Sequence, residues 1–260
     1  MDQNAIIKAM HKLEAQLKNE ISKTYKIDQE ALAEVIEKHT SLSPELLLLL
    51  SSEKNLDKIR RTKIFKDFYK KLKKNVYYSL RTYQRGDKKH VSSAERTNYM
   101  ESFIEQLHEY IKSANSILDI GGGMFPQSFP FKKYPNIKNY TWLDKDKLSF
   151  EKLMEFKNKN DFGQLNLICE KIGARNLEHF DLVFMLKLIP VINRQEDNLL
   201  EYLAKIPGNT VVVTGSKEAM VKKKNIQIRE DIILKKFIAQ TGRKVIKEID
   251  IENEFGYVIS

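Results

Sequence analysis

Apolar residues recur at three- and four-residue steps through the first eighty positions, then give way to short apolar runs. Over residues 3–24, Ile6, Ile7, Met10, Leu13, Leu17 and Ile21 share one helical face, which predicts an amphipathic helix. A second helix is expected from Asp28, as N-cap, to about Lys38, with Leu32, Val35 and Ile36 inward. Ser43-Pro44-Glu45 reads as a helix start, a capping residue with proline in the first turn. It leads into Leu46 to Leu50, five leucines that fit an accessory core. From Asn55 to about Tyr83 one long helix is expected, with Leu56, Ile59, Phe68, Leu72 and Val76 on its apolar side. Nothing before residue 85 alternates as a strand does, and Arg85-Gly86-Asp87 reads as a turn. Residues 1–87 are therefore expected to form an all-helical domain.

From Ala94 to Ser113 the helical period returns in Tyr99, Phe103, Ile104, Leu107 and Ile111. Thereafter strand and helix patterns alternate, which predicts a parallel α/β sheet. Strands are expected at 116–120, 140–143, 166–169, 181–186, 210–214, 245–250 and 255–259. Helices are expected at about 147–158, 195–204 and 228–241. The last two strands, Lys247 to Ile251 and Phe255 to Ile259, read as an antiparallel hairpin. Residues 88–260 are thus expected to form one α/β domain around a seven-stranded sheet.

The chemistry is concentrated in Ser116-Ile117-Leu118-Asp119-Ile120-Gly121-Gly122-Gly123, a buried strand that ends in an acid and three glycines. Glycine there lets the backbone approach a ligand that a Cβ would exclude. A dinucleotide fingerprint GxGxxG would need glycine at 121, 123 and 126, but position 126 is Pro126, which disfavours a dehydrogenase. The alternative pattern Asp-x-Gly-x-Gly resembles motif I of class I S-adenosylmethionine (SAM) methyltransferases, whose topology the strand and helix pattern also matches. Asp144 closes the next apolar segment about 20 residues on, where such folds place a ribose-binding carboxylate. A glycine turn taken alone could equally be a structural loop.

Composition narrows the class. With 260 residues, 42% of them hydrophobic, the chain can bury one large core or one core plus an accessory unit. A single cysteine, Cys169, supports neither a disulfide framework nor a cysteine-rich zinc site and is expected to be a small core residue. No metal is expected. The leucine run is far too short to span a bilayer and the N-terminus lacks a signal peptide's apolar centre, so a soluble, cytoplasmic protein without membrane contact is expected. The net charge of +10 is unevenly distributed: Lys54 to Arg96 holds 15 Lys/Arg against four Asp/Glu, a local +11, leaving −1 for the rest. That excess reads as a polyanion-binding surface, the alternative being a solvated helix face. Its cations are Arg60, Arg61, Lys63, Lys66, Lys70, Lys71, Lys73 and Lys74. Tyr69, Tyr77, Tyr78 and Tyr83 interleave with them and are assigned to packing. A second basic stretch, Lys217 with Lys222-Lys223-Lys224, follows the fifth strand at the sheet edge where substrates usually enter.

Three further stretches together resemble the 16S ribosomal RNA guanosine-N7 methyltransferases that confer aminoglycoside resistance. His90-Val91-Ser92-Ser93-Ala94-Glu95-Arg96 is similar to that family's His-x-Ser-Thr-x-Glu-Arg segment. Ile117 to Pro130 resembles its extended motif I, with Pro126 and Pro130 in register. Asp181 to Pro190 resembles its fourth-strand segment ending Leu-Lys-x-Leu-Pro. The helical first third matches the family's rRNA-docking domain, so the resemblance spans nearly the whole chain. Departures are Gly122 for the usual cysteine, Phe125 for asparagine, Asn166 for an acid, and Val213-Thr214-Gly215-Ser216-Lys217 for the family's Phe-Pro-Thr-(Lys/Arg)-Ser.

The resemblance implies a class I, Rossmann-like methyltransferase with SAM as cofactor and ribosomal RNA, in the 30S subunit, as partner, acting as a monomer. It implies that Asp119, Gly121, Gly122 and Gly123 serve the methionine end and the backbone approach, that Asp144 accepts the ribose hydroxyls, and that Lys145 beside it also binds the cofactor. Asn166 and Ile168 would flank the adenine, and Leu186 would also be a cofactor-binding residue. Ser93 and Arg96 would reach the methionine carboxylate, although Arg96 reads equally as a surface residue. Lys187 and Pro190, with Leu188, would shape the target-base pocket; the other reading of Lys187 is a solvated strand end. His90 reads equally as a packed residue. Two alternatives stay open: a methyltransferase for another RNA, a protein or a small molecule, and a non-catalytic RNA-binding homologue.

Overall fold

The computed structural model describes residues 3–24, 29–41, 43–52, 55–80, 96, 98–194, 199–219 and 225–260. The chain divides into two compact units, Met1–Tyr83 and Gln84–Ser260.

Every described element of the first unit is a helix: α1 (Gln3–Thr24), α2 (Gln29–Ser41), α3 (Pro44–Ser52), α4 (Leu56–Arg61) and α5 (Lys63–Leu80). Its core gathers Leu13, Leu17 and Ile21 of α1, Leu32 and Ile36 of α2, Leu46 and Leu50 of α3, Ile59 of α4, and Phe65, Phe68, Leu72 and Val76 of α5. The three- and four-residue periodicity selects all of these but Phe65, whereas Ile7, expected on the same face, and Leu48 of the leucine run are exposed. The single helix expected over 55–83 is instead two. Asn55 caps α4 by accepting from the amides of Asp57 and Lys58, and Thr62 is extended (ψ 154°). The Thr62 hydroxyl then accepts from the Phe65 amide, opening α5 with a new N-cap. The expected cap Asp28 and the turn at Arg85-Gly86-Asp87 lie outside the described residues.

The second unit is built on a seven-stranded sheet: β1 (Ser116–Ile120), β2 (Asn139–Asp144), β3 (Leu165–Cys169), β4 (Phe180–Met185), β5 (Gly208–Ser216), β6 (Val245–Ile251) and β7 (Glu254–Ile259). Their order is β3-β2-β1-β4-β5-β7-β6, with only β7 antiparallel to both of its neighbours. Reversal of strand order between β1 and β4 opens a crevice at the C-terminal ends of the parallel strands. Helices Lys147–Asn160, Leu199–Ala204 and Gln227–Thr241 fall where the pattern predicts helix, and Ile189–Ile192 adds a short turn that no apolar period marks. The helix expected over 94–113 is interrupted at Leu107 between Met100–Gln106 and His108–Ser113. Apolar side chains cover both sheet faces, Ile117, Leu182 and Val212 on one and Leu118, Ile120, Val183 and Val213 on the other. Near-continuous apolar runs are what central parallel strands require. Among the described residues no helix is long and apolar enough to cross a membrane.

Candidate functional site

β1 lies between β2 and β4, so the chain leaving it emerges at the middle of the crevice. Gly121 turns the chain at φ 66° and donates its amide to the Leu143 carbonyl at 2.8 Å. Positive φ is strained for any residue with a Cβ, and a Cβ here would also sit 2.9 Å from Leu188 Cδ1. At Gly122 the constraint is different: a Cβ would lie 2.1 Å from Asp119 Oδ2. The absence of a side chain at 122 is therefore what lets the Asp119 carboxylate fold beneath the turn. Gly123 donates its amide to Asp144 Oδ2 at 3.2 Å and accepts from Trp142 Nε1 at 3.0 Å, tying the turn to the end of β2.

Asp119 is fully buried, with Oδ2 accepting the Tyr140 hydroxyl at 3.0 Å and Oδ1 without a hydrogen-bond partner. Burial raises its pKa to about 7, against the lowering effects of the Tyr140 hydrogen bond and the Arg96 charge. Asp144 is half-buried, and its Oδ1 accepts from the Asp146 amide at 3.2 Å. Burial moves Asp144 upward too, opposed by the backbone amides it accepts. Lys145 is exposed beside it.

Phe125, which stands where the resemblance expects asparagine, is a core residue with edge contacts to Phe103 and Phe184. The Arg96 guanidinium lies 5.2 Å over the Phe125 ring and 5.4 Å over Phe103. Arg96 is not at the surface: it is buried and donates through Nε and Nη2 to Glu254 at 3.0 and 2.9 Å. Glu254 also accepts the Thr214 hydroxyl at 2.5 Å. Burial alone would raise the Glu254 pKa, but the charges of Arg96 and Lys187 hold it below the usual carboxylate range. Glu254 and Thr214 have no sequence pattern to reveal them.

Lys187 follows β4 in the left-handed region at φ 57°. Its amide donates to Thr214 Oγ1 at 2.9 Å, and its ammonium lies 3.5 Å from the Tyr99 hydroxyl and 3.6 Å from Glu254. It is not a solvated strand end. Leu186 is buried in the core, and Pro190 is buried in the first turn of Ile189–Ile192, so neither presents an exposed side chain. Ile168 is half-buried on the side of the Leu118 cluster, one position from the end of β3.

Asn166 is not brought to the crevice. β3 begins at Leu165, so Asn166 is only its second residue, and its amide donates to Asn139 Oδ1 at 2.8 Å near the start of β2. The crevice end of β3 is instead Cys169, paired with Asp144, followed by Glu170, whose amide donates to the Asp144 carbonyl. Cys169 is itself half-buried at the strand end rather than in the core. Ser93 and His90, like Lys222, Lys223 and Lys224, lie outside the described residues. Lys217 is paired with Asp250 and donates its amide to the Asn253 carbonyl, which ties the start of the basic loop to the β6–β7 hairpin.

On α5, Lys63, Lys66, Lys70, Lys71, Lys73 and Lys74 are exposed opposite the Phe65, Phe68 and Leu72 stripe, and Arg61 is exposed at the end of α4. Arg60 differs: it is half-buried, paired with Glu20 at 2.6 Å and stacked on Phe65. Tyr69 is half-buried against the core with Lys73 4.6 Å over its ring. Among the described residues no cluster of His, Cys, Asp and Glu could hold a metal ion.

No protein-family profile matches the chain, and no curated protein matches it. Solved structures do. The 16S rRNA methylase ArmA superposes with a TM-score of 0.51 at 23% identity, covering 66% of this chain and 86% of its own. The 16S rRNA methylase RmtB superposes at 0.55 with 15% identity, covering 95% and 97%. RmtF, a 16S rRNA methyltransferase solved in complex with S-adenosyl-L-homocysteine, superposes at 0.54 with 13% identity, covering 100% and 98%. At these identities the likeness establishes the fold, a class I methyltransferase sheet preceded by a helical region.

Proposed function

We propose that this chain is a SAM-dependent methyltransferase whose target is guanosine N7 in the 16S rRNA of the 30S subunit. The observation that carries the reading is the glycine turn between β1 and β2, with Asp119 folded beneath Gly122 and Asp144 holding the Gly123 amide. The residues fit the cofactor. Asp119 keeps one buried oxygen without a partner, suited to a cationic methionine end. Asp144 accepts from the backbone amides of Gly123 and Asp146, with the Lys145 amide bonded to it as well, and the acceptor capacity that its carboxylate keeps suits a ribose hydroxyl. Gly121 and Gly123 let backbone line the crevice closely.

The cofactor supplies a methyl group on a positively charged sulfur. Guanine N7 has an in-plane lone pair and no proton, so the protein needs to position the base and exclude water rather than remove a proton. That agrees with a Lys187 ammonium turned toward Glu254 and Tyr99 instead of standing free as a base. The lysines of α5, with Lys217 and Lys222 to Lys224, would contact phosphates, giving affinity and register without reading sequence. A guanosine within folded RNA would have to be flipped out of its stack. Near-full-length likeness in fold to RmtB and RmtF supports an rRNA target, and aminoglycoside resistance would follow from it.

The test is incorporation of label from methyl-labelled SAM into 30S subunits, naked rRNA and bulk tRNA, followed by nucleoside analysis. 7-Methylguanosine in 30S subunits is the expected result. Label in another nucleoside or another RNA would move the target, and SAM binding without transfer to any RNA would overturn the rRNA assignment.

A further inference from the structure

We infer that Glu254 is a positioning residue for the transfer: one buried carboxylate at the start of β7 fixes both the Lys187-Leu188 turn and the Arg96 guanidinium. This rests on the methyltransferase reading above. β7 runs antiparallel to β5 with Glu254 opposite Ser216, which puts the carboxylate at the crevice end of the sheet. Glu254 has no exposed surface. Its oxygens receive Arg96 twice, the Thr214 hydroxyl, and the Tyr99 hydroxyl at 3.3 Å, with the Lys187 ammonium at 3.6 Å. Those partners come from the segment before the sheet, the end of β4 and the end of β5.

Stability alone does not explain such a cluster. Desolvating a carboxylate and two cations largely cancels their attraction, and apolar residues of the same volume commonly do as well. Lys187 adds a second cost. A residue with a Cβ in the left-handed region is strained where glycine would be relaxed. The other described non-glycine residue at positive φ, Asp161, is an ordinary helix C-cap. At 187 the strained turn is clamped from both ends, its amide by Thr214 and its ammonium by Glu254, and Thr214 is itself bonded to Glu254. The consequence lies one residue on: Leu188 packs against the face of Gly121 where a Cβ would be. On the other side, the guanidinium held by Glu254 is spread over Phe125 and lowers the pKa of Asp119. One carboxylate therefore sets a wall of the crevice and a charge within reach of the methionine end. Groups fixed before reaction need no reorganisation as positive charge leaves the sulfur.

Glu254→Asp keeps the charge and withdraws it by one methylene. SAM Kd is expected to rise about tenfold, and kcat at saturating SAM to fall by about ten- to a hundredfold in whichever RNA accepts label. The melting midpoint should move by no more than a few degrees. A second variant, Lys187→Gly, should relax the turn and melt at or above the wild-type temperature, yet also lose kcat. Glu254→Asp with wild-type Kd and kcat, or with losses only in proportion to unfolded protein, would overturn the inference alone. Wild-type protein that binds no SAM overturns the methyltransferase reading, and the inference with it.

Discussion

The helical unit and the α/β unit bury different things. Among the described residues of Met1–Tyr83, the one polar residue buried as a whole is Thr40, whose hydroxyl closes onto the Ile36 carbonyl of its own helix, and besides it single side-chain oxygens of Glu14 and Gln16 are out of water. Its exposed cations crowd one face of α5 and are nowhere drawn into the core. Gln84–Ser260 buries Arg96, Asp119, Glu230 and Glu254 together with Thr141, Ser149 and Thr214. Three of these, Asp119, Thr214 and Glu254, lie at or beside the crevice end of the sheet. Burying charge is costly unless it is paired, whereas surface charge costs little. On the proposed reading the helical unit docks a polyanion, which exposed cations can hold without any whole charged side chain being buried. Fixed groups out of water suit a unit that must hold a charged ligand in one geometry.

The largest effect should come from refilling the space that Asp119 occupies. Gly122→Cys restores the family's usual residue, but its Cβ would overlap the Asp119 carboxylate. The carboxylate must then swing out and lose the Tyr140 hydroxyl, leaving buried polar atoms unpaired at about 1–3 kcal/mol each. SAM affinity is expected to fall about a hundredfold or more in calorimetry, with a melting point several degrees lower. Asp144→Ala should follow, at about 10- to 100-fold in SAM affinity, since it frees the Gly123 amide and, on the proposed reading, removes the charge-assisted bonds to the ribose. Unchanged affinity in both variants would place the cofactor elsewhere.

Much of this is legible in the sequence because it is local. The strands emerge within one or two residues of their ends, since a run buried on both faces needs apolar residues throughout. Asp119 and Asp144 are visible because each closes such a run. The break at Thr62 is hidden by an apolar period that continues on both sides of it, from Ile59 to Phe65 and Phe68, although a threonine three residues before Phe65 carries the capping signal. Asn166 misleads although its strand ends at Cys169 as the pattern predicts: the crevice lies at the C-terminal ends of the parallel strands, and Asn166 stands at the opposite end of β3. Glu254 is illegible for a deeper reason. Its partner Arg96 stands 158 positions away, and no periodicity encodes a pairing that only the closed sheet creates.

The helical side of the contrast is sharpened by reversing charge. Lys66→Glu with Lys70→Glu should weaken RNA binding about tenfold or more at low salt. The slope of log affinity against log salt should become shallower by about 0.7–0.9 for each phosphate that is no longer neutralised. SAM affinity should not change, and melting should move by no more than about a degree, because both side chains are exposed. Arg60→Ala is the control. Its guanidinium is committed to Glu20 and Phe65, so it should lower stability modestly, by about 0.5–1 kcal/mol, and affect RNA less than its charge would imply. RNA affinity and salt dependence left intact in the double reversal would remove the docking role from α5.

The smallest expected effect concerns Asp119 and depends on pH. Its folded pKa of about 7 stands above the ordinary value near 4, so the folded protein holds this proton more tightly than the unfolded chain does. Its contribution to stability is therefore fully present below about pH 4 and is lost as pH rises through 7. Asp119→Asn lacks the ionisation, so its margin over the wild-type melting point should be absent near pH 4, already open at pH 5.5 and larger by a few degrees at pH 8. Cofactor binding should show the opposite sign. A cationic methionine end favours the ionised carboxylate, so wild-type SAM affinity should weaken as pH falls below 7, by at most tenfold per unit, with proton release seen as buffer-dependent heat in calorimetry. In Asp119→Asn the affinity should be lower throughout and its pH dependence over this range flat. A wild-type melting difference and SAM affinity that both ignore pH between 5.5 and 8 would mean that Asp119 is ionised throughout, with its buried oxygen satisfied by a partner other than Tyr140.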